Sequence, residues 1–339
     1  MNILITGGAG FIGSNFVKYM VSKYPTYSFL NVDLLTYAGN LENLKDVEEA
    51  KNYHFVKADI CDKAHITELV QQYNIEVIIN FAAESHVDRS ITNPGAFVQA
   101  NVVGTQVLLD VARELDLQKY VQVSTDEVYG TLGAEGYFTE ETPLQANSPY
   151  SSSKAGADLL VRAYHETYGM NVNITRCSNN YGPLQFPEKL IPLMISNALE
   201  EKPLPVYGDG ENVRDWLHVE DHCSAIDLVL HEGKSGEVYN VGGHNEKNNI
   251  EIVETILESL GKSKDLITYV EDRLGHDRRY AIDPKKLTTE LGWKPKYTFE
   301  TGIKETIQWY LDNRQWWERI KSGDYMEYYN NQYAGKLNV

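Results

Sequence analysis

The chain has 339 residues, about twice the ~150 of an average domain, so it can bury one large core or two modest ones without disulfide or metal staples. Its 48 acidic residues against 31 basic ones leave a formal charge of −17, which disfavours a role coating nucleic acid or lying on anionic lipid. A hydrophobic content of 42%, a mean hydropathy of −0.40 and the lack of any apolar run near the ~18 residues of a spanning helix exclude an integral membrane protein. Cys61, Cys177 and Cys223 are scattered, odd in number and free of any CxxC pair, and read as buried thiols of a reducing compartment. No signal peptide precedes the first strand, so the product is expected to stay in the cytoplasm.

In chain order, strand-length apolar runs fall at Ile3 to Thr6, Ser28 to Asp33, His54 to Val56, Val77 to Phe81, Tyr120 to Ser124 and Val172 to Thr175, with amphipathic helical stretches between them. Strands alternating with helices are βαβ units, and runs apolar on both faces suit a parallel sheet covered on each side. The pattern predicts an α/β protein with a Rossmann-type doubly wound parallel sheet. After Tyr181-Gly182-Pro183 the rhythm breaks into prolines and glycines, which predicts a smaller mixed α/β substrate-binding lobe. The expected division is 1–180 for the cofactor domain and 181–339 for the lobe and tail, with some strands or helices returning to the first domain. A helix over Glu300 to Asn313 is expected to end the lobe, and the aromatic-rich stretch Gln315 to Tyr333 to act as a packing or interface strap.

Gly7-Gly8-Ala9-Gly10-Phe11-Ile12-Gly13 follows the first strand directly and opens a helix. Glycines at 7, 10 and 13 supply a tight turn, close approach of backbone to a pyrophosphate and close helix-on-strand packing. Such a loop also occurs as a plain structural turn, and the next acidic landmark decides between the two. Asp33 ends the second strand twenty residues beyond Gly13, where a carboxylate meets the adenosine ribose hydroxyls of NAD. A carboxylate there repels a 2′-phosphate, and Leu34 and Leu35 follow rather than an arginine, so NAD is expected over NADP. Asp59-Ile60, after the third strand, is placed to meet the adenine; a helix N-cap is the competing reading of Asp59.

Val123-Ser124-Thr125-Asp126-Glu127-Val128-Tyr129-Gly130 lies at the carboxyl end of a central strand, outside which ligands bind in open α/β sheets. A dehydrogenase or 4-epimerase has no use for adjacent carboxyls there. An elimination does: once carbon 4 of a hexose is a ketone, its C5 proton is acidic, and Glu127 can take it while Asp126 protonates the departing C6 hydroxyl. Neighbouring carboxyls push their proton affinities apart, so one can be protonated while the other is ionised. The competing reading of the pair is a solvated turn.

Tyr150 and Lys154 stand four residues apart, on one face of one helix. A free tyrosine titrates near 10, roughly three units too high for a base at neutral pH, and a lysine cation beside it is expected to lower that value. With 23 tyrosines in the chain such a pair arises easily by chance, so it gains meaning only beside the glycine loop and Asp33.

Those features together resemble the extended short-chain dehydrogenase/reductase family over nearly the whole chain. The TDEVYG string narrows the resemblance to the dTDP-glucose 4,6-dehydratases. Further similar blocks are Leu35 to Asn40, Ala82 to Ser90, Cys177 to Pro183, Arg214 to His222 and Gly275 to Tyr280. The resemblance implies a tightly bound NAD, regenerated each turnover, and a substrate that is dTDP-glucose or a similar nucleotide sugar. It implies cofactor contacts at Phe11, Ile12, Leu34, Leu35, Thr36, Ile60, Phe81, Ala82, Ala83, Ser85, Ala100, Tyr150, Lys154 and Asn180, besides the glycines, Asp33 and Asp59. It implies substrate contacts from Ser85, Thr125 and Asn179, and from Lys189, Leu190, Pro205, Tyr207, Arg214, Asn249, Arg273 and His276 in the second lobe. Leu34 stands where the family usually has lysine, and Leu274 where proline usually precedes Gly-His-Asp. Tyr207 or Tyr280 is a candidate to stack on the pyrimidine.

The arginines Arg214 and Arg273 also suit a diphosphate on physical grounds, through planar forks that bridge its oxygens, although a surface ion pair explains either one alone. The nine histidines form no HxH or HExxH set, and no metal is expected. The resemblance implies a homodimer through a four-helix bundle built from the stretch Pro94 to Leu115 and the Tyr150 helix of each subunit; periodicity permits this without requiring it. The competing functions are a nucleotide-sugar 4-epimerase or uronic-acid decarboxylase on the same fold, a non-catalytic NAD-sensing protein, and an NADP-dependent dehydratase of a GDP-sugar.

Overall fold

The computed structural model describes residues 1–322. Its strands are, in chain order, β1 (Asn2–Thr6), β2 (Ser28–Asp33), β3 (Tyr53–Lys57), β4 (Val77–Asn80), β5 (Lys119–Thr125), β6 (Val172–Cys177), β7 (Asn179–Tyr181), β8 (Leu204–Tyr207), β9 (Val213–His218), β10 (Val238–Val241), β11 (Glu246–Asn248) and β12 (Ile267–Val270). Seven of them form one sheet in the order β10-β6-β5-β4-β1-β2-β3, and every pairing is parallel. The order reverses beside β1, which pairs with β2 on one side and β4 on the other. This is the switch point where α/β sheets leave a crevice at their carboxyl ends.

The six apolar runs of the sequence are β1 to β6. β10 escaped that reading because it is only Val-Tyr-Asn-Val, too short and too polar to stand out among glycines and lysines. It joins the edge of β6 from the second half of the chain. The helix Val219–Glu232 also returns: Val219, Cys223, Ile226 and Leu230 pack with Phe16, Val17 and Met20 of the helix Phe11–Lys23. Asp227 fastens the seam, accepting from Lys23 Nζ at 2.6 Å, Tyr24 Oη at 3.0 Å and Tyr19 Oη at 3.1 Å.

The second lobe carries two small sheets, β11-β9-β7 and β12-β8. Its core joins the helices Leu190–Leu199, Asn249–Leu260 and Phe299–Asp312 around Met194, Ile252, Ile256 and Tyr310. The first part of the expected aromatic strap is the helix Arg314–Lys321. There Trp317 is fully buried and donates to the Tyr310 carbonyl at 3.0 Å, and Trp316 reaches Asn43 Oδ1 of the cofactor side at 2.9 Å. The remainder of that strap, 323–333, lies outside the described residues.

Two helices frame the site. Pro149–Tyr168 starts at a capping box, with Ser148 and Ser151 each taking the other's backbone N–H at 3.0 Å, and stops at Gly169 with φ +68°. The expected helix over Pro94 to Leu115 is interrupted: Pro94–Phe97 and Gly104–Glu114 are joined by a π turn at Val98–Val103. That turn aims Asn101, a polar residue in an apolar stretch, at the core. Its side chain holds both the N–H and C=O of Glu84, each at 2.9 Å, and donates to Ser153 at 2.8 Å. No helix among the described residues is long and apolar enough to cross a membrane. Cys177 and Cys223 are buried as expected, whereas Cys61 is half-buried.

Trp317→Ala removes a fully buried indole and its hydrogen bond, so stability should fall by about 3–5 kcal/mol, read as a lower urea midpoint.

Candidate active site

The turn after β1 is shaped by contacts a side chain would forbid. Gly7 has φ +70°, and a Cβ there would sit 2.5 Å from Ala82 N; one on Gly13 would sit 2.3 Å from the Gly7 carbonyl oxygen. Gly10 differs. A Cβ there would meet only the Gly7 carbonyl oxygen, at 3.4 Å, so packing within the protein does not demand glycine, while a group lying on the loop would. Gly10 is also the N-cap of Phe11–Lys23 and offers no side-chain cap, which leaves helix N–H groups open toward an anion.

Asp33 is buried at the end of β2. One carboxylate oxygen accepts from Ala9 N at 2.9 Å and the other from Leu35 N at 2.8 Å. Burial raises its proton affinity, and these two N–H groups oppose the rise. One donor per oxygen leaves lone pairs for a ribose diol.

A cleft of about 360 Å³ runs from this loop to the end of β5. Gly7, Gly10, Phe11, Ile12, Gly13, Asp33, Leu34, Thr36, Asp59, Ile60, Phe81, Ala82, Ala83, Ser85, Ala100 and Asn180 all line it. So do Thr125, Asp126, Glu127, Tyr150, Lys154, Asn179 and Lys189. Leu35 does not: at φ +57° its side chain turns away and packs against the core of the sheet. Asp59 is no helix cap, since the helix Lys63–Gln72 is capped by Asp62; Asp59 instead accepts from Cys61 N at 2.8 Å. The residues on hand fit a dinucleotide: a loop open to a pyrophosphate, a buried carboxylate at ribose distance in the chain, and apolar walls.

At the catalytic end, Thr125 closes β5 and caps the short 3₁₀ turn Asp126–Tyr129, its hydroxyl accepting from Glu127 N at 3.2 Å. The solvated-turn reading of the carboxyl pair fails, because Asp126 is 1% exposed and its Oδ2 has no hydrogen-bond partner. Burial first, then the neighbouring Glu127 and Asp215 charges, pushes the Asp126 carboxyl well above the usual range. Glu127 is also raised by burial, but Arg273, Arg214 and Lys189 pull the other way. Both carboxyls are raised, but Asp126 is held to its proton more strongly than Glu127, which the three cations pull back toward its ionised form.

Lys154 donates from Nζ to the Val123 carbonyl at 2.8 Å and is buried, which lowers its proton affinity. The expected lowering of the Tyr150 phenol by Lys154 is not found. Burial and the Glu127 charge hold the phenol well above its ordinary value, opposed by a hydrogen bond with Thr125. Burial dominates the ring, and the Lys154 charge is not among the influences acting on it.

The second-lobe candidates other than Lys189, namely Leu190, Pro205, Tyr207, Arg214, Asn249, Arg273 and His276, do not line this cleft. Leu190 opens the helix Leu190–Leu199, Asn249 opens Asn249–Leu260, and Pro205 and Tyr207 lie on β8. Arg214 is buried, donating to the Val213 carbonyl at 2.7 Å and the Asp277 carbonyl at 2.9 Å, so it is no surface ion pair. Arg273 lies 4.0 Å from Asp88, and its Nε is buried without a partner. His276 meets Asp272 at 2.6 Å and Tyr207 edge-on with ring centroids 6.3 Å apart. Tyr280 is not free to stack on a base: it is buried, with the Arg214 guanidinium 4.3 Å from its ring centre. Leu274 is 78% exposed. Of these, Arg214 and Arg273 reach the cleft through charge, as their effect on Glu127 records.

Sequence reading missed Asn101, and Tyr37 and Glu188 of the cleft wall. Asn101 had a signal, an asparagine inside a largely apolar helical run, and Tyr37 had one in its place within the block Leu35 to Asn40; Glu188 had none. Among the described residues there is no group of three or more His, Cys, Asp or Glu side chains able to hold a metal ion.

Residues 4–306 match the family model described as GDP-mannose 4,6 dehydratase. A protein of Salmonella typhimurium named dTDP-glucose 4,6-dehydratase is 52% identical over 361 residues, covering 99% of this chain and 100% of its own length. A crystal structure of dTDP-glucose 4,6-dehydratase from Bacillus anthracis, in complex with NAD, superposes with a TM-score of 0.90 at 58% identity, over 95% of this chain and 100% of that one. The enzyme of that name from Streptomyces venezuelae, also with NAD bound, gives a TM-score of 0.92 at 49% identity, over 95% and 100% of the two chains. With the glycine loop, the buried carboxyl pair and the Tyr150–Lys154 helix all at one cleft, the chain belongs to the dTDP-glucose 4,6-dehydratase family.

Proposed function

We infer that the protein is a hydro-lyase that converts dTDP-glucose to dTDP-4-keto-6-deoxyglucose. The observation that carries this reading is the pair of unlike carboxyls, Asp126 and Glu127, at the same end of β5 as Tyr150 and Lys154. An epimerase acting through C4 oxidation alone has no work for them. All of Thr125, Asp126, Glu127, Tyr150 and Lys154 are in place, which speaks against a non-catalytic NAD sensor. Asp33 speaks against NADP.

The glycine loop and Asp33 would hold NAD, which would supply the hydride acceptor for C4 and the hydride donor for C6. Tyr150, as the phenolate, accepts the proton of the C4 hydroxyl; the Thr125 bond to the same phenol favours that anion, and so does the Lys154 cation one turn along the helix. Glu127 removes the C5 proton, which the C4 ketone has made acidic. Asp126, kept protonated by burial, gives its proton to the C6 hydroxyl, and water leaves. Return of hydride to C6 and of a proton to C5 restores the starting cofactor, so no external reductant is consumed. Ser85 and Asn179 orient the sugar, and Asn180 meets the nicotinamide. Lys189, Arg214 and Arg273 offset the diphosphate, with Leu190, Pro205, Tyr207, Asn249 and His276 around the nucleotide.

The protein acts as a cytoplasmic homodimer. Support comes from Val98 and Leu159, which are 51% and 57% exposed on the two helices framing the site, so each leaves an apolar face for a second copy. A four-helix bundle is the packing this allows. The product is consumed by further deoxysugar synthesis, rhamnose formation included.

Glu127→Gln should still reduce bound NAD when given dTDP-glucose, seen at 340 nm, while loss of water measured by mass slows by roughly 10²–10⁴-fold; normal dehydration by this variant would remove Glu127 as the base. Arg273→Leu takes away a cation that favours the Glu127 anion, so the acid limb of kcat at saturating substrate should move to higher pH; a move to lower pH would contradict the assignment. Leu159→Glu should halve the mass found by light scattering without unfolding the chain, and a parent protein with the mass of one chain would end the dimer proposal.

A further inference from the structure

Below Tyr150 and Lys154 on the same helix, Asp158 occupies the next position of the i, i+4 series and so lies on the face that points into the protein. Its side chain is fully buried. Oδ2 accepts from Arg176 Nε of β6 at 2.8 Å, and Oδ1 has no hydrogen-bond partner. Arg176 is itself buried and donates from a second nitrogen, Nη1, to the Tyr129 hydroxyl at 3.0 Å. Tyr129 ends the 3₁₀ turn that carries Asp126 and Glu127, and its hydroxyl donates to Asn240 of β10 at 2.7 Å. A buried carboxylate with one oxygen left over is an anomaly in an interior where polar groups are paired. One turn away, Lys154 is a buried cation whose hydrogen-bonded partner is a neutral carbonyl.

We propose that Asp158 is a positioning residue for the oxidation step, its charge keeping Lys154 an ammonium ion, while Arg176 holds Asp158 in place and braces it against the turn that bears the acid and base. The proposal rests on the reading of Tyr150 and Lys154 given above. The groups acting on Lys154 are Asp158 from its own helix and the Cys177 thiol from β6, while Tyr150 stands one turn before it on that helix. Burial raises the proton affinity of the Tyr150 phenol and the Cys177 thiol. Asp158 is therefore the anion that works against the desolvation of Lys154. Asp158 itself faces Arg176 from β6 and the Tyr120 hydroxyl from β5, the latter neutral by burial. Arg176 holds Asp158 through the 2.8 Å bond and is not itself among the charges acting on Lys154.

The test follows reduction of bound NAD in the first turnover by rapid mixing at 340 nm, across pH 6 to 10, in the parent and in Asp158→Asn. The ammonium form is lost as pH rises, so the variant's alkaline limb should move down by about one pH unit, an extra tenfold loss of rate at alkaline pH. Asp158→Glu, which keeps the charge, should bring the limb back. Where the single variant leaves Arg176 uncompensated and fails to fold, Asp158→Asn with Arg176→Gln removes both charges together and should show the same downward move. A limb that coincides with the parent's, with only a uniform drop in rate, makes the pair structural and overturns the proposal. The measurement is independent of the dehydratase reading: a product isomerised without loss of water would overturn that reading, while the first-turnover limb would still score Asp158.

Discussion

Removal of water from the carboxyl end of β5 is the constraint on which the site depends. Burial is the leading influence on Asp126, Glu127, Tyr150, Lys154, Lys189 and Arg214 alike. Desolvation drives every one of these groups toward its neutral form, raising acids and lowering bases. Left alone it would give a site of uncharged groups. What differentiates them is the placement of a few opposite charges, so that two carboxyls in succession are biased differently: Glu127 feels Arg273, Arg214 and Lys189, whereas Asp126 feels chiefly other carboxylates. A chain of net charge −17 can therefore hold anionic ligands, because the balance that matters is the one inside the cleft.

The fold delivers that arrangement by keeping the chemistry on regular elements. Thr125 is the last residue of a central strand and the cap of the turn after it, so the carboxyl pair is fixed by strand register. Tyr150 and Lys154 ride on a helix whose start is pinned by a reciprocal serine cap. The π turn at Val98–Val103 then ties that helix to the segment of Glu84 through Asn101. A regular α-helix there would rotate Asn101 off its present bearing, and Glu84 and Ser153 would each lose a partner.

Much of this was legible in the sequence, and the parts that were not share a cause. β1 to β6 were readable because a parallel strand covered on both faces must be a run of apolar residues. The glycine loop, Asp33, TDEVYG and YxxxK were readable because short-range spacing sets their geometry. β10, the inward turn of Asn101 and the Arg214–Tyr280 stack were hidden because they depend on which distant segments meet. The Tyr150 phenol shows the limit well. Proximity to Lys154 argued for a lowered proton affinity, but spacing along a helix does not reveal how much water the fold excludes from the ring. Leu35 is a similar case, since its left-handed backbone reverses the direction that its position in the motif suggests.

The return of the helix Val219–Glu232 to the first helix bears on how the molecule comes into being. Lys23 and Asp227 are 204 residues apart in the chain, and the apolar face of Phe11–Lys23, which packs with Ile3, Phe29 and Ile79 of the sheet, is not fully covered until Val219, Cys223, Ile226 and Leu230 exist. At ribosomal speeds of about 5–20 residues per second, the nascent amino-terminal half waits roughly 10–40 s with that part of the face open. The glycine loop at the head of that helix is the first binding element to be synthesised, yet the helix behind it is among the last to be closed. Cofactor capture is thereby a late event in the life of the chain, and the interval before it is when chaperone binding and misassembly compete with folding.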